Sequence, residues 1–176
     1  DECDEPVTPP DAASEYEIAQ ALVGSIVRVE TWAAEDDPAT AVPYSVAEHR
    51  YLVREVRPKG IYAAAVLLPL ALEKIGYQYE RLIDDPMCAH DITLCWSPYG
   101  QPVHAITVNY ARRRTESDAP PFTDPDEQQW WRDAHDEAQQ SYYLSETRAR
   151  LIDLDEDLQH WRLGLPWQQR NNALVL

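Results

Sequence analysis

The sequence predicts a mainly β fold, an antiparallel β-meander with one short helix around residues 125–140. Three observations carry that prediction. Aromatic, β-branched and apolar residues fall into short runs, of which 88–96 and 101–110 are the clearest. The runs are separated by turn clusters, and two of these share a recipe: Arg57-Pro58-Lys59-Gly60 and Ser97-Pro98-Tyr99-Gly100 both put proline second and glycine fourth, as a type I turn prefers. Proline outnumbers glycine 14 to 5, which suits strands punctuated by rigid turns and disfavours a glycine-rich phosphate loop.

Taken in order, residues 1–19 read as an acidic disordered tail or linker, because Asp1 to Glu17 hold seven acidic residues, no basic one and three prolines. Residues 20–176 form the β-rich region, a single core being the natural expectation for 176 residues. Residues 25–32 alternate well enough for a half-buried strand, ended by Glu35-Asp36-Asp37-Pro38. Residues 43–56 are extended, most clearly at 51–56. The run 61–72 lacks polar alternation, as a strand covered on both faces does; periodicity alone leaves a buried helix open, and Pro69 favours the strand. Residues 77–114 then read as three successive strands joined by turns at Asp84-Asp85-Pro86 and Ser97–Gly100. After a polar loop at 115–124, Thr123 or Asp124 can cap a helix that has Pro125 in its first turn and Asp126 and Glu127 at the positive end of its dipole. Strand character returns at 142–144 and 147–152, and 165–176 is extended. No internal repeat of solenoid length is present.

The net charge of −16 opposes binding to nucleic acid or to an anionic membrane, both of which draw their affinity from Lys and Arg. The longest apolar run, 61–72, is too short for a span of ~20 residues. With no initiator methionine and no signal-peptide pattern, the chain looks excised or processed from something longer. Cys3, Cys88 and Cys95 are an odd set, and a Cys88–Cys95 bond within one strand is geometrically poor, so free thiols are expected.

Each candidate site has a plainer reading. Asp153, Asp155 and Asp157 imitate the start of a calcium loop, but Leu158 stands where glycine is needed and Gly164 where the bidentate glutamate belongs, which leaves a solvated acidic turn. Cys88, His90 and Cys95 are zinc-ligand types, yet strand parity puts Cys95 on the other face. Asp84, Asp85 and Asp91 around His90 suggest an acid/base pair, and turn chemistry explains the first two better. No nucleophile elbow or metalloprotease motif occurs. Trp32, Trp96, Trp130, Trp131, Trp161 and Trp167 read mainly as core and sheet-face packing; adjacent helical positions diverge by about 100°, so one of Trp130 and Trp131 is expected to face a neighbouring part of a larger protein. The expectation is no enzyme, no catalytic, cofactor-binding or metal residue, and no cofactor.

The succession Tyr79-Glu80-Arg81, Asp85-Pro86, His90-Asp91-Ile92-Thr93-Leu94, Tyr99-Gly100 and Tyr110-Ala111-Arg112-Arg113 resembles the middle-to-C-terminal region of the B component of bacterial insecticidal toxin complexes (Tc toxins and their SpvB-like relatives). Flanking blocks agree: Ala21-Leu22-Val23-Gly24-Ser25-Ile26-Val27-Arg28-Val29-Glu30, Pro43-Tyr44-Ser45-Val46-Ala47-Glu48, Arg162-Leu163-Gly164-Leu165-Pro166 and Gln169-Arg170. Ala111, where the family often has glycine, and Ser97-Pro98, where it has an Asx-rich turn, depart from the pattern. The resemblance implies strands of an RHS-type shell that encloses the cytotoxic C-terminal polypeptide of the C component. It also implies the A-component pore as partner through the rest of the B chain, a secreted complex, no nucleic acid and no direct membrane insertion. No catalytic residue is carried over, since the family's self-cleaving aspartates belong to the C component and no matching motif stands here. An isolated segment of such a shell is expected to self-associate through strand edges. The contrasting reading, from charge alone, is a free-standing acidic binding protein or inhibitor that mimics nucleic acid.

Overall fold

The computed structural model describes residues 11–34, 41–79, 82–156 and 159–176. The expected turn at 35–38, residues 1–10 of the expected tail, Cys3, Asp157 and Leu158 lie outside the described residues. Seven strands form one antiparallel sheet: β1 (Arg28–Thr31), β2 (Ser45–Arg57), β3 (Val66–Gln78), β4 (Met87–Trp96), β5 (Pro102–Asn109), β6 (Tyr143–Leu154) and β7 (Arg162–Val175). Their spatial order equals their chain order, so the predicted meander is complete, with β1 and β7 at its edges. No second sheet is present among the described residues, and the core is thin: Val46, Leu70, Cys95, Trp96 and Trp131 are its buried apolar members.

The β4–β5 hairpin forms as its turn residues predict. Gly100 N–H donates to the Ser97 carbonyl at 3.0 Å, and Ser97 N–H to the Gln101 carbonyl at 2.8 Å. Gly100 sits at φ +81, and a Cβ there would lie 2.8 Å from Leu68 Cδ2, so both backbone and space call for glycine.

The sequence expectation differs from the structure in four places. The run 61–72 and the Tyr77 segment are not separate strands but one, β3, which begins only at Val66. It stays continuous because a bulge at Leu72, between the pairs Arg50↔Glu73 and Tyr51↔Ala71, absorbs one extra residue. Pro69 is tolerated in this interior strand because β4 pairs with β3 only over Glu73–Gln78, so no ladder bond on that side is lost.

The expected disordered tail contains α1 (Ala12–Ala21). Charge counting missed its cap, for Asp11 accepts from Ser14 N–H at 2.7 Å. It also missed an anchor: Glu17 takes Lys59 Nζ and Ala65 N–H, each at 3.0 Å, at the β2–β3 connection.

The helix expected over 125–140 ends at Asp133 as α2 (Pro125–Asp133), and a 3₁₀ turn follows at Glu137–Gln140. The break falls where His135 turns inward and Asp136 caps the new turn through Gln139 N–H. The first strand, expected over 25–32, is only the four residues of β1.

Candidate functional site

The long connection between β5 and β6 is fastened to the β3–β4 turn by buried charges. Asp85 is 1 % exposed and His135 2 %. Asp85 Oδ2 lies 2.8 Å from His135 Nε2 and accepts from Arg112 Nε at 3.0 Å, while Oδ1 accepts the backbone N–H of Arg113 at 2.8 Å and of Arg114 at 3.3 Å. His135 Nδ1 is 2.7 Å from the Trp131 carbonyl, and the imidazole stacks on the Trp131 indole with centroids 4.0 Å apart. Arg112 Nη2 also lies 3.2 Å from His135 Nε2, so guanidinium, imidazole and carboxylate form one buried cluster. Burial is the largest influence on the Asp85 carboxyl and pushes its pKa up. The bonds from His135, the Arg113 amide and Arg112 outweigh it together, so the pKa ends below the usual carboxylate range.

Local sequence explains each member. Asp85-Pro86 turns the chain into β4, Arg112 follows β5 by three residues with its N–H on the Gln139 carbonyl, and the α2 N-terminus is set by Asp124, which accepts from Asp126 and Glu127 N–H. Trp131 and His135 then share one face at i and i+4. With both carboxylate oxygens and both ring nitrogens engaged and out of solvent, the cluster clamps two chain segments together rather than presenting a nucleophile or a free base. Sequence reading placed Asp85 in turn chemistry and passed over Arg112 and His135, because the partners lie 27 and 50 residues away. The available signal is a histidine four residues after Trp131, at the end of a stretch rich in charged and amide side chains.

The other candidates are dispersed. Asp84 meets Arg114 at 3.4 Å on the surface, and Asp91 accepts from Thr107 at 2.6 Å. Asp153 accepts from Gly164 N–H and Asp155 from Tyr99 Oη, both at 2.7 Å, so these two carboxylates serve different partners. Among the described residues no three acidic, His or Cys groups are close enough to hold a metal ion.

Cys88, His90 and Cys95 share one face of β4, contrary to the strand parity expected. Cys95 pairs with His104, and His90 with Val108, two alternate positions of β5; the bulge after Thr93 therefore returns Cys95 to the face of Cys88 and His90. Separation keeps them apart instead, since seven residues of strand extend roughly 20 Å. Cys88 is a free thiol, raised in pKa by burial, whereas Cys95 is disulfide-bonded, contrary to the free thiols expected.

The tryptophans divide. Trp96 and Trp131 are buried as core packing predicts; Trp130 is 68 % exposed, and Trp32, Trp161 and Trp167 are also exposed, contrary to that reading. The divergence of Trp130 from Trp131 is as expected.

A family model described as the insecticide toxin TcdB middle/C-terminal region matches residues 17–165. The chain belongs to that family. Its clamp, from Asp85 to His135, lies wholly inside the matched TcdB region. The chain is similar to solved structures of TcdB2-TccC3 (31 % identity, TM-score 0.83, 98 % of this chain and 8 % of that one) and TcdB2-TccC3-TEV (31 %, 0.85, 100 % and 8 %). It is similarly close to a chain in the Photorhabdus luminescens Tc holotoxin pore (31 %, 0.85, 98 % and 8 %). This TcdB-family segment thus spans about a twelfth of the chains it matches. No curated protein matches it.

Proposed function

We propose that the chain is a wall segment of a Tc toxin B component, contributing strands to a hollow shell that B and C components build around the cytotoxic C-terminal polypeptide of the C component. The observation that carries this reading is the single-layer sheet whose edge strands, β1 and β7, have no outer strand partner among the described residues. A sheet of this kind leaves backbone donors and acceptors for neighbouring strands and has little core of its own. The matched TcdB2 structures contain TccC3, and one is a holotoxin pore, which favours a C component and an A-component pore as partners through the rest of the B chain. The role is scaffolding, with no chemistry assigned to any residue and no cofactor. A secreted complex agrees with the disulfide at Cys95, since such bonds persist in oxidising compartments.

Protease protection of the C-component polypeptide tests the reading in a complete B–C complex. Leu174→Lys with Val175→Lys sets charge on both faces of β7. The wild-type complex is expected to shield the polypeptide and the variant to leak it. Equal shielding by a complex with intact B–C stoichiometry would overturn the wall role of this edge.

A further inference from the structure

The β5–β6 ladder stops at His104↔Arg148, while β6 continues, paired with β7, to Leu154. Among the described residues the edge of β6 that faces β5 is therefore without a strand partner from Ala149 onward, and a trough of about 560 Å³ opens there, lined by residues including Trp96, Pro98, Arg148, Arg150 and Arg170, with Asp153 at its side engaged by Gly164 N–H. Register places the three arginines on one face: Arg148 is directly opposite Arg170, and Arg150, opposite Gln168, is two residues along the same strand. All three are exposed.

This concentration of cations is unexpected in a chain of net charge −16. Like charges directly opposite across a strand pair destabilise it unless something negative lies between them. Glu146 pairs with Arg148 at 2.8 Å and also serves His104 and Asn172, and it makes no ion pair with Arg150 or Arg170 among the described residues. Arg170 Nε donates to the neutral Asn172, and no ion pair joins Arg150 or Arg170 to a carboxylate among the described residues.

We propose that this trough binds an extended acidic peptide of a partner protein, which pairs its backbone with the free edge of β6 and sets carboxylates at alternate positions against Arg148, Arg150 and Arg170. Strand addition supplies affinity through main-chain hydrogen bonds, and the period of two along a strand supplies the spacing. Guanidinium groups suit the task because their fork matches a carboxylate. The apolar rings of Trp96 and Pro98 can cover the intervening side chains. This inference does not depend on the shell reading.

The test uses the full-length B protein and a fluorescent hexapeptide of alternating glutamate and threonine, compared with a peptide of the same composition in which three glutamates precede three threonines. Saturable binding of the alternating peptide, weakened by salt, is expected, with the block peptide weaker. Arg150→Gln and Arg170→Gln are each expected to weaken binding roughly tenfold, as loss of one charge-assisted contact does. Both residues are exposed, so these variants are expected to fold, which circular dichroism verifies. Absence of saturable binding, equal binding of both peptides, or equal binding by the folded variants would overturn the proposal. So would full competition by inorganic phosphate at concentrations matching the peptide, which would show a small-anion site.

Discussion

His90 and His104 occupy equivalent positions about the Ile92↔Ile106 pair, each with Nε2 2.8 Å from a glutamate on the outer neighbouring strand, Glu73 on β3 and Glu146 on β6. Glu73 pairs with Ile92, and Glu146 with Ile106, so a half-turn about the hairpin centre superposes one dyad on the other. Arg50 completes the first group by an ion pair with Glu73, and Arg148 with Asn172 completes the second.

Acid sensitivity follows from the second group. Bonds from Arg148, Asn172 and His104 hold the Glu146 carboxyl at about 2, against an ordinary 4.5. A depressed folded-state pKa means stability that is fully present above 4.5 and is lost as pH falls towards 2. A carboxyl NMR titration of the folded protein is expected to place the Glu146 midpoint near the lower value, and Glu146→Gln to flatten stability against pH in that window. A midpoint at the ordinary value would contradict the geometry.

Removing one side of the buried clamp takes away the carboxylate that Arg112 and His135 share. Asp85→Ala is expected to cost about 3–5 kcal/mol in denaturant unfolding, because Arg112 and His135 stay buried. Asp84→Ala, next in sequence but on the surface, is expected to cost about 0–1 kcal/mol. Hydrogen exchange should show residues 110–142 opening first in the Asp85 variant; equal costs for the two would argue against a clamp.

Trp131 buries an indole N–H that has no acceptor among the described residues. Trp131→Phe keeps a ring over His135 and removes that unsatisfied donor, so its cost is expected to stay within about 1 kcal/mol. Trp131→Ala, which empties the site, is expected to cost about 3–5 kcal/mol. Trp130→Ala should be near neutral in stability, since its side chain is mostly in solvent. Thermal melts of the three variants rank them.

Gly164 has φ +70 and sits where a Cβ would meet the end of the Gln101 side chain at 1.9 Å. Gln101 can swing aside, so backbone handedness dominates, and Gly164→Ala is expected to cost about 1–2 kcal/mol. Adding Gln101→Ala should recover little of that loss. Full recovery in the double variant would show that crowding, not conformation, sets the cost.

The meander was legible because its determinants are local. Pro98 and Gly100 bend the chain between two β-rich runs whatever lies elsewhere, and Asp124 with Pro125 starts a helix from four neighbouring residues. What was hidden depends on partners far along the chain. Nothing near Leu72 announces the bulge that keeps β3 continuous, and nothing near Thr93 announces the one that returns Cys95 to the face of His90. Asp85 looks like any turn aspartate until His135 arrives fifty residues later. Glu17 belongs to an acidic stretch by composition, and only the β2–β3 connection gives it something to hold.

Each strand's sheet partners are its neighbours in the chain. A growing polypeptide leaving the ribosome can therefore close every hairpin as soon as the second strand emerges, without waiting for distant segments, and low contact order of this kind favours rapid folding. The one long pause is residues 110–142 between β5 and β6. There the Asp85 carboxylate, already translated and fixed beside β4, offers an anchorage to Arg112 and then to His135, so that the chain is drawn back to the growing edge before β6 is made.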